Sequence, residues 1–486
     1  MKNLAIILTI VLFIIGCGET DPDNEGNHIP DVNIIQEDQT VQVGEFIQLS
    51  SVALDVDKDD MTYQWSFVSK PADSRAKLTT DQTKKSSFIA DKAGEYKIKF
   101  VATDPVGAEG SETVVFTATE DGAVSMVCTT YTELSENITS DTILDGCYSV
   151  TTILYISDDA TLTIKAGSTL MFESATGLKV SSDGALKAVG TAQKPILFTG
   201  EQKTAGYWEG VSFRGSDNSN NEMSYTTIEY AGGGNNIHHG ALYLIGNYGS
   251  DNRLKISNST IQHSIGYGFD FEKRTVLDKF ENVTSTKNEK TAGAVDVSVL
   301  DQLDTQSDFT GNLGGDYIVL EGSTVSKDAV WKALSVPVNI PNSLYIDAFL
   351  TINSGLTLVV DSGQIIRIHA SGSLKAVGTA KEPIIFTGKE QTAGYWHGMH
   401  FEMSNSTNNI LEYINLEYAG GGSDAGLDLD SRNDISFTRV SVRNSTFSNN
   451  AGYGIYIDYD DNTQYNKDID SSNTFFSNED GEVGRR

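Results

Sequence analysis

Residues 186–210 read LKAVGTAQKPILFTGEQKTAGYWEG, and residues 374–398 read LKAVGTAKEPIIFTGKEQTAGYWHG. The two stretches lie 188 residues apart and agree at 18 of 25 positions. The likeness extends outward in the same order. Upstream, ATLTIKAGSTLMF from Ala160 answers FLTINSGLTLVV from Phe349. Downstream, IEYAGGG from Ile228 answers LEYAGGG from Leu416, and NSTIQHSIGYGFDF from Asn258 answers NSTFSNNAGYGIYI from Asn444. One long segment has been duplicated, and a repeat of this kind decides architecture before any local pattern does.

Within the first copy, short apolar runs centre on Leu162, Leu178, Ile196, Val211, Thr227, Leu242, Ile256 and Phe269. None has the 3.6-residue spacing of a helix. The connections are long, polar and rich in Gly and Asn, unlike the tight turns of an up-and-down barrel. A parallel β-helix accounts for both facts, each strand lying over its counterpart one coil earlier. Side chains alternate, so Ile196 and Phe198 are expected inside and Leu197 outside. The recurring Asn-Ser-Thr places Asn at coil corners, where left-handed geometry is tolerated.

The block GALKAVGTAQKPILFTG…GYWEGVSF followed by IEYAGGG resembles the right-handed parallel β-helix domains of bacterial surface and exported proteins. That resemblance implies the fold over 121–486, with repeat units at about 135–321 and 322–486. It leaves activity open, because this fold hosts lyases, hydrolases, adhesins and passive scaffolds.

Residues 31–120 follow another pattern. Period-2 runs such as MTYQWSF from Met61 and YKIKFVA from Tyr96 are separated by turn clusters such as Asp57-Lys-Asp-Asp. Seven or so short strands in this length predict an antiparallel β-sandwich. ALDVDKDDMTYQW and AGEYKIKFVATDPVGAEGSETVVFTAT resemble a PKD-type immunoglobulin-like domain, with Trp65 as the core Trp. In that family the module is an extracellular spacer or binding domain. The whole chain is therefore expected to be all-β.

The chain begins MKNLAIILTIVLFIIGC, one Lys and then an apolar run too short to span a bilayer. Ile14-Ile15-Gly16-Cys17 resembles a bacterial lipobox. It implies removal of residues 1–16, lipidation of Cys17, and an acidic flexible tether over 17–30. Gly18 after the Cys points, by the same likeness, to the outer membrane, with surface and periplasmic faces both open. The remaining Cys128 and Cys147 form one expected disulfide in an oxidising compartment. With 35 Lys+Arg against 66 Asp+Glu the net charge is −31, which repels nucleic acid.

Candidate ligand-binding residues are few. Tyr207-Trp208 and Tyr395-Trp396 offer either a flat ledge for a sugar ring or packing at a coil corner. Glu229 and Glu417 recur as outward carboxylates or as a solvated face. His397 and His400 stand where the first repeat has Glu209 and Ser212, and residues three apart on a strand are expected on opposite faces. His238, His239, His263 and His369 belong to no repeated site. Asp424, Asp428, Asp430 and Arg432 come nearest to the acid–base cluster a polysaccharide lyase needs. Asp55, Asp57, Asp59 and Asp60 form a plain acidic turn or, as the alternative, hold calcium; no other cofactor is expected. No P-loop, GxSxG, HExxH or CxxC pattern appears. The sequence thus predicts a tethered lipoprotein with a non-catalytic polysaccharide-binding or adhesive β-helix. The alternatives are a surface polysaccharide lyase or glycoside hydrolase, or a structural envelope scaffold.

Overall fold

The computed structural model describes residues 27–43, 46–119, 128–181, 183–234, 240–246, 250–422, 425–431 and 437–486. The leader 1–16, Cys17, His238, His239, Asp424 and Arg432 lie outside the described residues. The chain divides into two compact units, Met1–Ala123 and Val124–Arg486. The described residues contain no α-helix.

The N-terminal unit is a sandwich of two sheets. Strands Asp31–Ile34, Phe46–Leu54 and Lys85–Ile89 form one. Strands Gln39–Gln42, Glu109–Thr119, Gly94–Thr103 and Thr62–Ser69 form the other. Strict alternation along Gly94–Thr103 buries Tyr96, Ile98, Phe100 and Ala102 and leaves Lys97 and Lys99 half-buried on the opposite face of the sheet. Trp65 is 1% exposed; its ring lies 4.6 Å from that of Phe100, and its Nε1 donates to Thr83 O. A buried indole N–H needs such a partner.

The C-terminal unit is a parallel β-helix. Leu154, Leu178, Val211, Leu242 and Phe269 stand in register on successive coils, each at most 1% exposed. Ile196 and Phe198 point inward and Leu197 is half-buried. Asn258, Asn282 and Asn444 take positive φ at corners, and Asn282 Nδ2 donates to Asn258 Oδ1 across coils. Cys128 and Cys147 are joined by a disulfide at the start of the stack.

The duplication does not continue straight through the stack. One thirteen-stranded sheet runs through both repeats. In repeat one it contains Gly210–Arg214; in repeat two it contains Ile384–Gly388. The repeat-two counterpart of Gly210–Arg214 is Gly398–Glu402, and that strand lies in a separate seven-stranded sheet. The shift occurs where Ile318–Glu321 pairs with Gly293–Asp296 on one side and Val338–Ile340 on the other. Equivalent faces of the two repeats therefore belong to different sheets.

Candidate functional site

The Trp residues are not surface ledges. Trp208 and Trp396 are both 0% exposed. The Trp208 ring lies on Phe172, centroids 3.9 Å apart with planes 8° from parallel. Its Nε1 donates to Glu229 O at 2.9 Å, and Trp396 Nε1 donates to Glu417 O at 3.0 Å. The Gly-Tyr-Trp turn thus pins one coil to the backbone of the next, which corrects the sugar-stacking expectation for Trp208 and Trp396. Tyr207 and Tyr395 stay half-buried beside them, and Tyr207 Oη donates to Glu201.

Glu229 is held in place by its neighbours. It accepts from Thr199 Oγ1 at 2.8 Å and from Gln262 Nε2 at 3.0 Å, and pairs with Lys203 at 3.2 Å. In repeat two Gln391 replaces that lysine. Burial pushes the Glu417 carboxyl above its usual range.

The acidic turn of the N-terminal unit is likewise used internally. Asp55 Oδ1 accepts from Asp57 N at 2.7 Å, and Asp57 accepts from His28 N at 2.8 Å and lies 3.1 Å from its Nδ1. Those His28 hydrogen bonds hold the Asp57 carboxyl below its usual range. Burial and the neighbouring carboxylates push Asp59 up. Among the described residues no group of three or more His, Cys, Asp or Glu is placed to hold a metal ion. Of the two readings of Asp55, Asp57, Asp59 and Asp60, the hydrogen bonds of Asp55 and Asp57 are those of an acidic turn.

The polar residues that do converge lie on the seven-stranded sheet of repeat two. Arg367, His400 and Asp428 stand in register on three adjacent strands. Beside them Glu402, Asp430 and Asp458 form a second column. His400 Nε2 is 3.9 Å from Asp428 Oδ2 and 3.7 Å from Asp430 Oδ2. Arg367 Nη1 is 3.5 Å from Glu402 Oε2. The His400, Asp428, Asp430 and Glu402 side chains are at most 16% exposed, so their interactions are screened far less than surface pairs.

A cleft of about 430 Å³ lies against this group, lined by Arg367, His397, His400, Asp428 and Gly420 to Gly422. Both imidazoles line it, which corrects the opposite-face expectation. His397 precedes the strand, and Gly398 at φ +105° turns the chain before the pleat begins. Gly422 lets the His397 ring approach; a Cβ there would sit 2.7 Å from it.

Repeat one closes the same place. Lys179 and Glu209 occupy the positions of Arg367 and His397, and form an ion pair at 2.8 Å. Ser212, Arg214 and Tyr243 stand where repeat two has His400, Glu402 and Asp428, and the remaining space is about 20 Å³. The signal was present in the duplication itself: these exchanges cluster beside a block that is otherwise copied.

Two protein-family models match the chain. A pectate-lyase like beta helix domain matches residues 135–252, and a PKD domain matches residues 36–118. No curated protein gives a significant match.

Proposed function

We propose, for a chain that joins a PKD-type domain to a pectate-lyase-like β-helix domain, that the β-helix binds an extracellular polysaccharide in the repeat-two cleft. The observation that carries this reading is the convergence of Arg367, His397, His400 and Asp428 on a cleft that repeat one fills with an ion pair. Guanidinium, imidazole and carboxylate groups can donate and accept across several sugar hydroxyls at once. Lipidation at Cys17 would tether the domain to the bacterial outer membrane, with the sandwich as a spacer.

A second reading is cleavage of the bound glycan. It is favoured by one feature: two carboxylates, Asp428 and Asp430, within 4 Å of the same imidazole. Such a group can pass a proton to or from a substrate oxygen.

The test is a glycan-array screen of the full chain, followed by reducing-end and unsaturated-uronate assays on any glycan retained. Retention that is lost in His400→Ala, with no product, supports binding. Product that disappears in Asp428→Asn moves the protein to the second reading. Retention unchanged in both variants overturns the assignment to this cleft.

A further inference from the structure

The seam between the repeats holds a site that neither repeat contains alone. Ile318–Glu321 pairs along all four residues with Gly293–Asp296. Toward repeat two it pairs only through Ile318–Val338 and Val319–Asn339. The next strand runs out at Ile340, before Pro341, which has no N–H to continue a ladder. A cleft of about 670 Å³ opens there, larger than the repeat-two cleft and within the range of ~300–1,000 Å³ usual for small-ligand sites.

Repeat one supplies Tyr267 and Tyr317 to its lining, and repeat two supplies Asn339 and Asn342. The Lys290 ammonium lies 4.5 Å from the Tyr267 ring centroid. Asn339 is 5% exposed and its Nδ2 donates to Val359 O and Asp361 Oδ1, so this wall is fixed. Charges in the lining balance: Glu289 and Glu321 against Lys290 and Lys389. The chain as a whole carries −31.

From this geometry we infer that the seam cleft binds a short segment of a neutral oligosaccharide. Tyrosine rings present flat apolar area with a polar handle, as a sugar face requires. Amides and balanced charges offer donors and acceptors to hydroxyls. An anionic glycan would meet the field of an acidic protein without a compensating basic patch. The inference rests on the polysaccharide-binding reading, and adds a second site and a charge class to it.

Titration calorimetry of the full chain with cellotetraose, mannotetraose, xylotetraose and tetragalacturonate tests it. At least one neutral tetrasaccharide binds, more tightly than tetragalacturonate. Tyr317→Ala and Asn342→Ala each weaken that binding, the former at least about tenfold through loss of a stacking ring. Thermal unfolding of both variants checks that the stack is intact. Absence of neutral binding, equal binding of tetragalacturonate, or affinity unchanged in both variants overturns the seam site. A polysaccharide retained through His400 but indifferent to Tyr317→Ala and Asn342→Ala overturns the seam site alone. Retention of no glycan at all overturns both readings.

Discussion

Lys179 Nζ lies 2.8 Å from Glu209 Oε2, with both side chains at most 15% exposed, at the place where repeat two opens its cleft between Arg367 and His397. The pair closes repeat one. Removing one partner leaves a charge with little water to solvate it, a situation that costs about 3–5 kcal/mol in buried pairs. Glu209→Gln is therefore expected to lower stability by on the order of 3 kcal/mol. Replacing both residues with apolar ones of similar size, Lys179→Met with Glu209→Leu, is expected to cost much less. Denaturant unfolding of the two variants decides this; equal losses in the single and the double variant would refute it.

All four tryptophans are buried: Trp65 is 1% exposed, and Trp208, Trp331 and Trp396 are 0%. Acrylamide should quench the native emission only weakly, and saturating glycan should leave the emission maximum in place. Trp208→Ala removes the ring stacked on Phe172 and the bond to Glu229 O, and should cost about 3–5 kcal/mol. A glycan-induced shift in Trp emission would return these residues to a binding role.

Glu417 has a folded-state pKa raised by burial. The folded state therefore binds a proton at this carboxyl more tightly than the unfolded chain does. Its stabilising contribution is present below the ordinary Glu range and is lost as pH rises through the raised value. Glu417→Gln should therefore raise the melting temperature at pH 7 relative to the parent, and the advantage should vanish near pH 4. An advantage that is independent of pH would show that the carboxyl's charge is not the cause.

The Cys128–Cys147 bridge closes a 19-residue separation at the first coils. Chain-entropy arguments put the stabilisation from such a loop at about 3 kcal/mol. Cys128→Ser with Cys147→Ser should loosen the first coils before the rest. Hydrogen exchange should show faster amides in Cys147–Val150 and Thr132–Leu134 than in Ile384–Gly388. Uniform protection across these strands would argue that the bridge is dispensable.

Much of this was legible in the residues. The alternation that buries Ile196 and Phe198 and the corner asparagines followed from period and residue type, because both depend on neighbours in the same strand or turn. The ligand-binding reading of Trp208 failed for a definite reason. An aromatic next to Gly looks alike in sequence whether it faces water or the coil beneath, and only the Phe172 stack distinguishes the two. Spacing alone puts His397 and His400 on opposite faces of one strand, but the strand begins at Gly398 and leaves His397 outside the pleat.

By itself the sequence determined two all-β units, one sandwich and one stack of coils, because hydrophobic period and duplication are local and additive properties. It also marked the columns where the copies diverge. The tertiary structure alone decided which columns meet. Register across coils brings Arg367, His400 and Asp428 together from positions 33 and 28 residues apart. At the seam, Ile318–Glu321 pairs with strands of different repeat position on its two sides, which moves equivalent faces into different sheets and leaves a cleft between Tyr267 and Asn342. Backbone pairing between distant segments has no local sequence signature, since any extended strand can satisfy another's N–H and C=O groups, and the packed core selects the partner.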